Sequence, residues 1–283
     1  MTLSPKSTPS LHPDAPEEPA ELGPLSDDAI TGSFRIFQRV HGHRYSLDDV
    51  ITAWEAASVA PHARQCLELG SGIGSVLLML AYKLPDARFV AVEAQRNSFE
   101  LLTRNIARNE LGSRVRPVFG DLRAVAHPEL SAGGFDLITG TPPYVAPGTA
   151  TPSTDAQRAY ARQEFRGGVE DYLLAGGRCL KPGGRMVVCA DARFPERVLA
   201  TAATAGLTVL RRRDVIPRAS EKAALFSVFT LGRADSVTSE VSASRPEHST
   251  WIARDAGGAR SESYLAVRAF FGLSAPSGEL PSP

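Results

Sequence analysis

The stretch Cys66–Gly74, CLELGSGIG, constrains the rest of the chain more than any other. A short apolar run ends in an acid, Glu68, and breaks into alternating glycines, so it reads as a buried strand turning into a helix. Gly70, Gly72 and Gly74 let the backbone turn tightly and come close to a ligand, and a helix starting near Ser75 presents its N-terminal amides beneath that ligand. Alone, the pattern also fits a strand-to-helix turn with no ligand. The residues downstream separate the two.

From Cys66 onward, strand-like and helical runs alternate. ARFVAVE is a second strand ending at Glu93, SFELLTRNIARNEL an amphipathic helix, and RVRPVFGD a third strand ending at Asp121. FDLITG is a fourth strand. The helix VEDYLLAGGRCL, closed by Lys181-Pro182-Gly183-Gly184, leads to a fifth, GGRMVVCA. A helix near Glu196–Ala205 and the strands LTVLRRRDVI and AALFSVFTL bring the count to seven. Near-continuous apolar strands separated by helices predict an α/β fold, a mostly parallel sheet covered on both faces. Ligands on such sheets sit at the carboxyl ends of the strands, where the strand order reverses.

The flanks divide the chain further. Residues 1–28, rich in Pro, Ser and acid, are expected to form a disordered tail. Residues 30–60 hold an N-terminal segment: a hairpin or short strands turning at His41-Gly42, then a helix capped by Ser46. The sheet domain runs over 61–232 and a flexible connection over 233–250. A strand and helix in 251–273 fold back onto the domain, and 274–283 fray.

Formal net charge is zero over 283 residues. It is unevenly spread: residues 1–30 hold one base and six acids, so the remainder is mildly basic, with 30 bases against 25 acids. Three cysteines without metal-ligand spacing read as reduced core thiols. The histidines show no ligand spacing either, and no metal is expected. The N-terminus lacks the apolar core of a signal peptide and no run approaches a membrane span, so a cytoplasmic protein without a membrane partner is expected.

Three acids, Glu68, Glu93 and Asp121, end three successive strands. Glu93 lies about twenty residues beyond the glycines, where a carboxylate accepts both hydroxyls of a ribose. Asp121 falls at adenine-edge distance. A dinucleotide oxidoreductase shares this much. The discriminator is Gly140-Thr141-Pro142-Pro143-Tyr144, directly after the fourth strand. Two prolines fix φ twice and remove two donors, leaving carbonyls that only accept, beside an aromatic ring. Such a loop suits a planar group bearing an amine, its N–H groups on the carbonyls and its plane against Tyr144.

Together ELGSGIG, the ribose acid, the third-strand Asp and the x-PPY loop resemble the class I S-adenosylmethionine-dependent methyltransferases that modify amines, in which the loop is usually Asn-Pro-Pro-Tyr. Gln38, Gly42-His43-Arg44-Tyr45-Ser46-Leu47-Asp48, Ala161-Arg162-Gln163-Glu164 and Glu170-Asp171-Tyr172-Leu173 are similar to the tRNA1(Val) adenine N6-methyltransferase family. The resemblance covers about residues 34–273 and implies a Rossmann-like fold with a seven-stranded sheet. It implies S-adenosylmethionine held by Glu68, Gly70, Gly72, Gly74, Glu93 and Asp121, with Ser46 and Asp48 at the methionine end; helix capping reads these last two equally well. Thr141, Pro142, Pro143 and Tyr144 become the catalytic loop, and direct in-line transfer to an adenine N6 of tRNA the reaction, carried out by a monomer. Thr141 replaces the family's Asn, and a Thr hydroxyl is shorter and also donates.

An RNA partner calls for a basic rim. Arg158, Arg162, Arg166, Arg178, Lys181 and Arg185 follow the loop, and Arg211, Arg212, Arg213, Arg218 and Lys222 cluster near the sixth strand. Two other readings fit the same residues: methylation of a protein glutamine, as in release-factor methyltransferases, and a non-catalytic module that binds cofactor or RNA.

Overall fold

The structure, a computed structural model, describes residues 15–17, 21–124, 134–236 and 245–273. Its first element is a hairpin of β1 (Leu25–Thr31) and β2 (Phe34–Arg39), paired antiparallel with Thr31 opposite Phe34. The turn is therefore Gly32-Ser33 and not the expected His41-Gly42. Gly32 has a φ of 45°, which a tight two-residue turn demands and a side chain resists. The expected tail over 1–28 also ends earlier than supposed, because β1 starts at Leu25. Two acids of that stretch are bound instead: Asp27 pairs with Arg35 at 3.0 Å and Arg108 at 3.2 Å, and Asp28 with Arg44 at 2.8 Å. Residues 1–14 and 18–20 of that stretch lie outside the described residues.

Helix α1 (Leu47–Val59) starts at Ser46, whose backbone N–H donates to Asp49 Oδ2 at 2.9 Å. It packs beside α2 (Ser75–Lys83) over the sheet. The strands are β3 (Gln65–Leu69), β4 (Arg88–Glu93), β5 (Val115–Phe119), β6 (Phe135–Gly140), β7 (Leu180–Ala190), β8 (Leu207–Arg218), β9 (Phe226–Arg233) and β10 (Glu247–Arg254). Their spatial order is β10-β8-β9-β7-β6-β3-β4-β5, with β9 antiparallel to both neighbours and the other pairs parallel.

The sheet thus has eight strands where seven were expected. The addition is the C-terminal strand, which joins the edge instead of only packing on the domain. The outer edge of β8 would otherwise expose a row of unpaired amides and carbonyls, and β10 covers it. Arg211 reaches Glu247 at 2.9 Å, His248 reaches Asp214 at 2.8 Å, and Trp251 is buried. Part of the expected connection over 233–250 and the end from 274 lie outside the described residues.

The remaining helices are α3 (Arg96–Arg108), α4 (Ala156–Arg162), α5 (Val169–Cys179), α6 (Pro195–Thr204) and α7 (Glu262–Phe270). Neighbouring residues of a strand point to opposite faces, and here both faces are covered. Leu137 and Val187 join the core under α1 and α2, while Ile138 and Val188 join the one under α5 and α6. The order reverses at β3, with β4 on one side and β6 on the other, so the crevice for a ligand opens at the carboxyl end of β3.

Several arginines read as an RNA rim are instead structural. Glu55 of α1, 1 % exposed, receives Arg211 Nη1 at 2.9 Å, Arg213 Nε at 3.0 Å and the Thr230 hydroxyl at 3.1 Å. Arg212 pairs with Asp214 at 2.7 Å. A buried carboxylate needs such partners, and these clamp α1 to β8 and β9. No helix among the described residues is long and apolar enough to cross a membrane.

Candidate active site

The crevice holds a hollow lined from the glycine turn, the ends of β4 and β5 and the exit of β6. Gly70 and Gly72 form its floor with φ of 61° and 55°. A Cβ on Gly72 would meet nothing within 4 Å, whereas one on Gly70 would run into the Tyr172 hydroxyl. Gly72 is therefore the point where backbone lies open to a bound molecule. Glu93 ends β4 in the same wall and is held rigidly: Oε2 accepts from Gly72 N at 2.8 Å and Oε1 from Gln95 N at 2.6 Å. Asp121, in the loop after β5, accepts from Arg123 N at 2.9 Å and from its guanidinium at 2.7 Å.

Across the hollow stand Thr141 and Pro143, at the exit of β6, and Asp49 from the first turn of α1. The Ser75 and Thr141 hydroxyls stand near the Asp49 carboxyl and lower its pKa, which is nonetheless pushed up to about 7 by burial and then by the charge of Asp48. His43 lines the hollow too, and burial holds its pKa below the usual imidazole range, so it is neutral.

Six of the twelve residues given a cofactor-binding or catalytic role in the sequence meet in this hollow: Gly70, Gly72, Glu93, Asp121, Thr141 and Pro143. The others are placed elsewhere. Glu68 is buried in β3 with Oε2 lacking a hydrogen-bond partner; burial, with the charges of Asp49 and Glu93, holds its pKa well above the carboxylate range. Gly74 caps α2 in the left-handed region, beneath Leu102. Ser46 and Asp48 stand outside this hollow at the start of α1, where Asp48 Oδ1 accepts from the Ser46 hydroxyl and from Asp49 N. Pro142 is buried.

Tyr144 does not line the large hollow. Its hydroxyl donates to Asp48 Oδ2 at 3.2 Å, and burial raises its pKa well above the phenol range. Its ring lines a second, smaller hollow with Pro143, Glu164, Ala190, Phe194 and Arg197. Phe194 is 45 % exposed there, and Arg197 is fixed by Glu164 at 2.8 Å and Glu170 at 2.6 Å. Pro143 lines both hollows.

Sequence reasoning missed Asp49, Gln95 and Tyr160, which line the large hollow, and named Arg166 only for a basic rim and Tyr172 only within a family-like motif. Asp49 carried one local signal, its capping-box spacing from Ser46, but its second role depends on how α1 lies over the sheet. Tyr160 and Arg166, with the guanidinium 4.2 Å from the ring centroid, come from chain far beyond the glycine turn.

Residues 55–212 match the family described as methyltransferase small domain, more than half of the chain. The chain belongs to this family. The methyltransferase is similar to the tRNA1(Val) (adenine(37)-N6)-methyltransferase of Aeromonas hydrophila, 30 % identical over 177 residues covering 62 % of this chain and 70 % of that one. The enzyme of that description from Porphyromonas gingivalis is 30 % identical over 158 residues, covering 55 % and 61 %. That from Aeromonas salmonicida is 29 % identical over 219 residues, covering 77 % and 85 %. Among solved structures, the fold resembles a predicted O-methyltransferase of Agrobacterium tumefaciens, with a TM-score of 0.59 at 16 % identity over 82 % of this chain and all of that one. It also resembles TYW2 of M. jannaschii in complex with AdoMet, with a TM-score of 0.51 at 16 % identity, covering 75 % and 87 %.

The protein is thus an enzyme whose methyl donor is S-adenosylmethionine. The hollow suits that donor: open backbone at Gly72, a rigidly held carboxylate at Glu93 and an acid at Asp121 are what an adenosine-bearing ligand needs.

Proposed function

We propose that this methyltransferase methylates an exocyclic amine, adenine N6, of tRNA or another structured RNA. The observation that carries this reading is the loop Thr141–Tyr144 at the exit of β6: Thr141 and Pro143 face the donor hollow, and Tyr144 and Phe194 flank a narrow cleft on the other side of Pro143. The relatives named as tRNA adenine N6-methyltransferases support the same substrate class. Three buried free thiols suit a reducing compartment, which favours the cytoplasm.

On this reading Glu93 would take the ribose hydroxyls of the donor and Asp121 its adenine edge. The donor supplies a methyl group already activated on a sulfonium. The protein's work is position and electrostatics. Tyr144 and Phe194 hold the plane of the target base. An aryl amine is a poor nucleophile because its lone pair is shared with the ring, and acceptors on its N–H groups return charge to nitrogen. Thr141 can be such an acceptor here despite replacing Asn. When its hydroxyl proton is donated to Asp49, the oxygen's lone pairs remain for the amine. After the N–C bond forms, the surplus proton on nitrogen passes by way of the Thr141 hydroxyl to Asp49, whose pKa of about 7 makes it a competent acceptor.

Two variants test the division of labour. Tyr144→Ala is expected to lower transfer to tRNA about 100-fold with S-adenosylmethionine affinity unchanged in calorimetry, while Tyr144→Phe keeps most of the rate. Glu93→Ala is expected to weaken cofactor binding about 10- to 100-fold, the loss of hydrogen bonds to a charged group. Wild-type transfer by Tyr144→Ala would remove the base-holding role.

A further inference from the structure

A third hollow lies between α1 and the C-terminal strand and helix, and Arg44, Tyr45, Ser46, Arg254, Arg260 and Tyr264 are among its lining. Two of its arginines, Arg254 and Arg260, are exposed and stand close together. Arg254 and Arg260 face each other across an antiparallel bridge closing the turn 255–259. Directly opposed residues on a ladder put their side chains on one face about 5 Å apart, where like charges repel. Among the described residues neither has a carboxylate within ion-pair distance, although Arg35, Arg39, Arg44, Arg211, Arg212 and Arg213 all do. Asp255, beside Arg254, has its carboxylate engaged by Ala259 N at 2.9 Å.

The two guanidiniums are also held in place. Arg254 Nη1 donates to Gly258 O at 2.7 Å, and Arg260 lies 5.2 Å from the centroid of the Tyr264 ring. Two exposed, pre-positioned cations without a carboxylate at ion-pair distance can receive phosphates from outside. Tyr45 and Tyr264 in the same groove add flat faces, and cations together with aromatic rings are what a single-stranded nucleic acid takes, its phosphates on the former and its bases on the latter.

The groove leads to the reaction. Tyr45 lines both it and the donor hollow. Ser46, also in the groove, bonds Asp48, which accepts from the Tyr144 hydroxyl beside the smaller hollow.

We propose that this groove is the track for the unpaired RNA strand flanking the target nucleotide, with Arg254 and Arg260 on its phosphates and Tyr45 and Tyr264 against its bases. The proposal rests on the RNA reading given above. From here the cost of removing the two charges follows from counterion release: each phosphate contact on a single strand contributes about 0.7 to the slope of log affinity against log salt.

The test compares full-length wild type, Arg254→Ala/Arg260→Ala and Arg254→Lys/Arg260→Lys in binding unmodified tRNA across a salt series. S-adenosylmethionine affinity and melting temperature are measured alongside. The double Ala variant is expected to lose about 10- to 100-fold in RNA affinity at low salt, with a slope shallower by about 1.4, while cofactor affinity stays at the wild-type value. The double Lys variant is expected to recover the slope. Wild-type affinity and slope in the double Ala variant, with wild-type enzyme still methylating RNA, would overturn the groove alone. A wild-type enzyme that methylates a protein glutamine and binds no RNA would overturn the RNA reading with it.

Discussion

Asp49 shows how a residue two positions into a helix acquires a second task. Its carboxyl completes the capping box with Ser46 and faces Thr141 and Ser75 in the donor hollow, where burial raises its pKa to about 7 from an ordinary 3.8. A folded-state pKa above the unfolded one contributes stability that is full below the unfolded value and lost as pH rises through the folded value. Between pH 5 and 8 the wild type should therefore lose stability that Asp49→Asn, which does not titrate, retains. The melting-temperature difference, variant minus wild type, is expected to become more positive over that range by several degrees; a constant difference would show that Asp49 does not titrate there. The glycines make a second comparison. Gly70→Ala combines a φ of 61° with a collision at the Tyr172 hydroxyl and is expected to cost about 2 kcal/mol or more in urea unfolding. Gly72→Ala meets no neighbour, so it should cost about 1 kcal/mol and show itself chiefly as weaker cofactor binding.

At the scale of elements, the clamp on Glu55 ties α1 to two strands of the far half of the sheet. Glu55→Ala leaves Arg211 and Arg213 without their shared buried acceptor, and a loss of about 3 kcal/mol is expected, read as a lower urea midpoint with cofactor affinity little changed. Elements were also where the sequence was most informative. The strand from Cys66, the glycine turn, Glu93 and the Pro-Pro loop are local patterns, because a tight turn, a strand end and a fixed φ are each written in a few consecutive residues. The Gly32-Ser33 turn was local as well but overshadowed by His41-Gly42. The eighth strand was harder: whether a C-terminal strand joins a sheet or packs on it depends on whether an edge is open, and that edge is β8, some thirty residues earlier in the chain. Asp49, Tyr160 and Tyr172 were illegible as site residues for the same reason, since packing of three separate helices brings them to the glycine turn.

Across the whole molecule, the sheet's reversal at β3 places the donor hollow, the x-PPY loop places the smaller hollow beside it, and the hairpin, α1 and C-terminal segment wall the groove that opens nearby. The charge distribution agrees with this arrangement. Arg35 and Arg39 of the hairpin and Arg211, Arg212 and Arg213 of β8 are paired with acids within the fold, while among the described residues Arg254 and Arg260 at the groove have no such partner. The central claim is transfer of a methyl group to an RNA base amine, and the most direct measurement is mass spectrometry of nucleosides from unmodified tRNA incubated with the enzyme and methyl-deuterated S-adenosylmethionine. A trideuterated methyl on adenosine N6 is expected, lowered about 100-fold in Tyr144→Ala; label recovered on a protein glutamine, with none in the nucleosides, would contradict the claim.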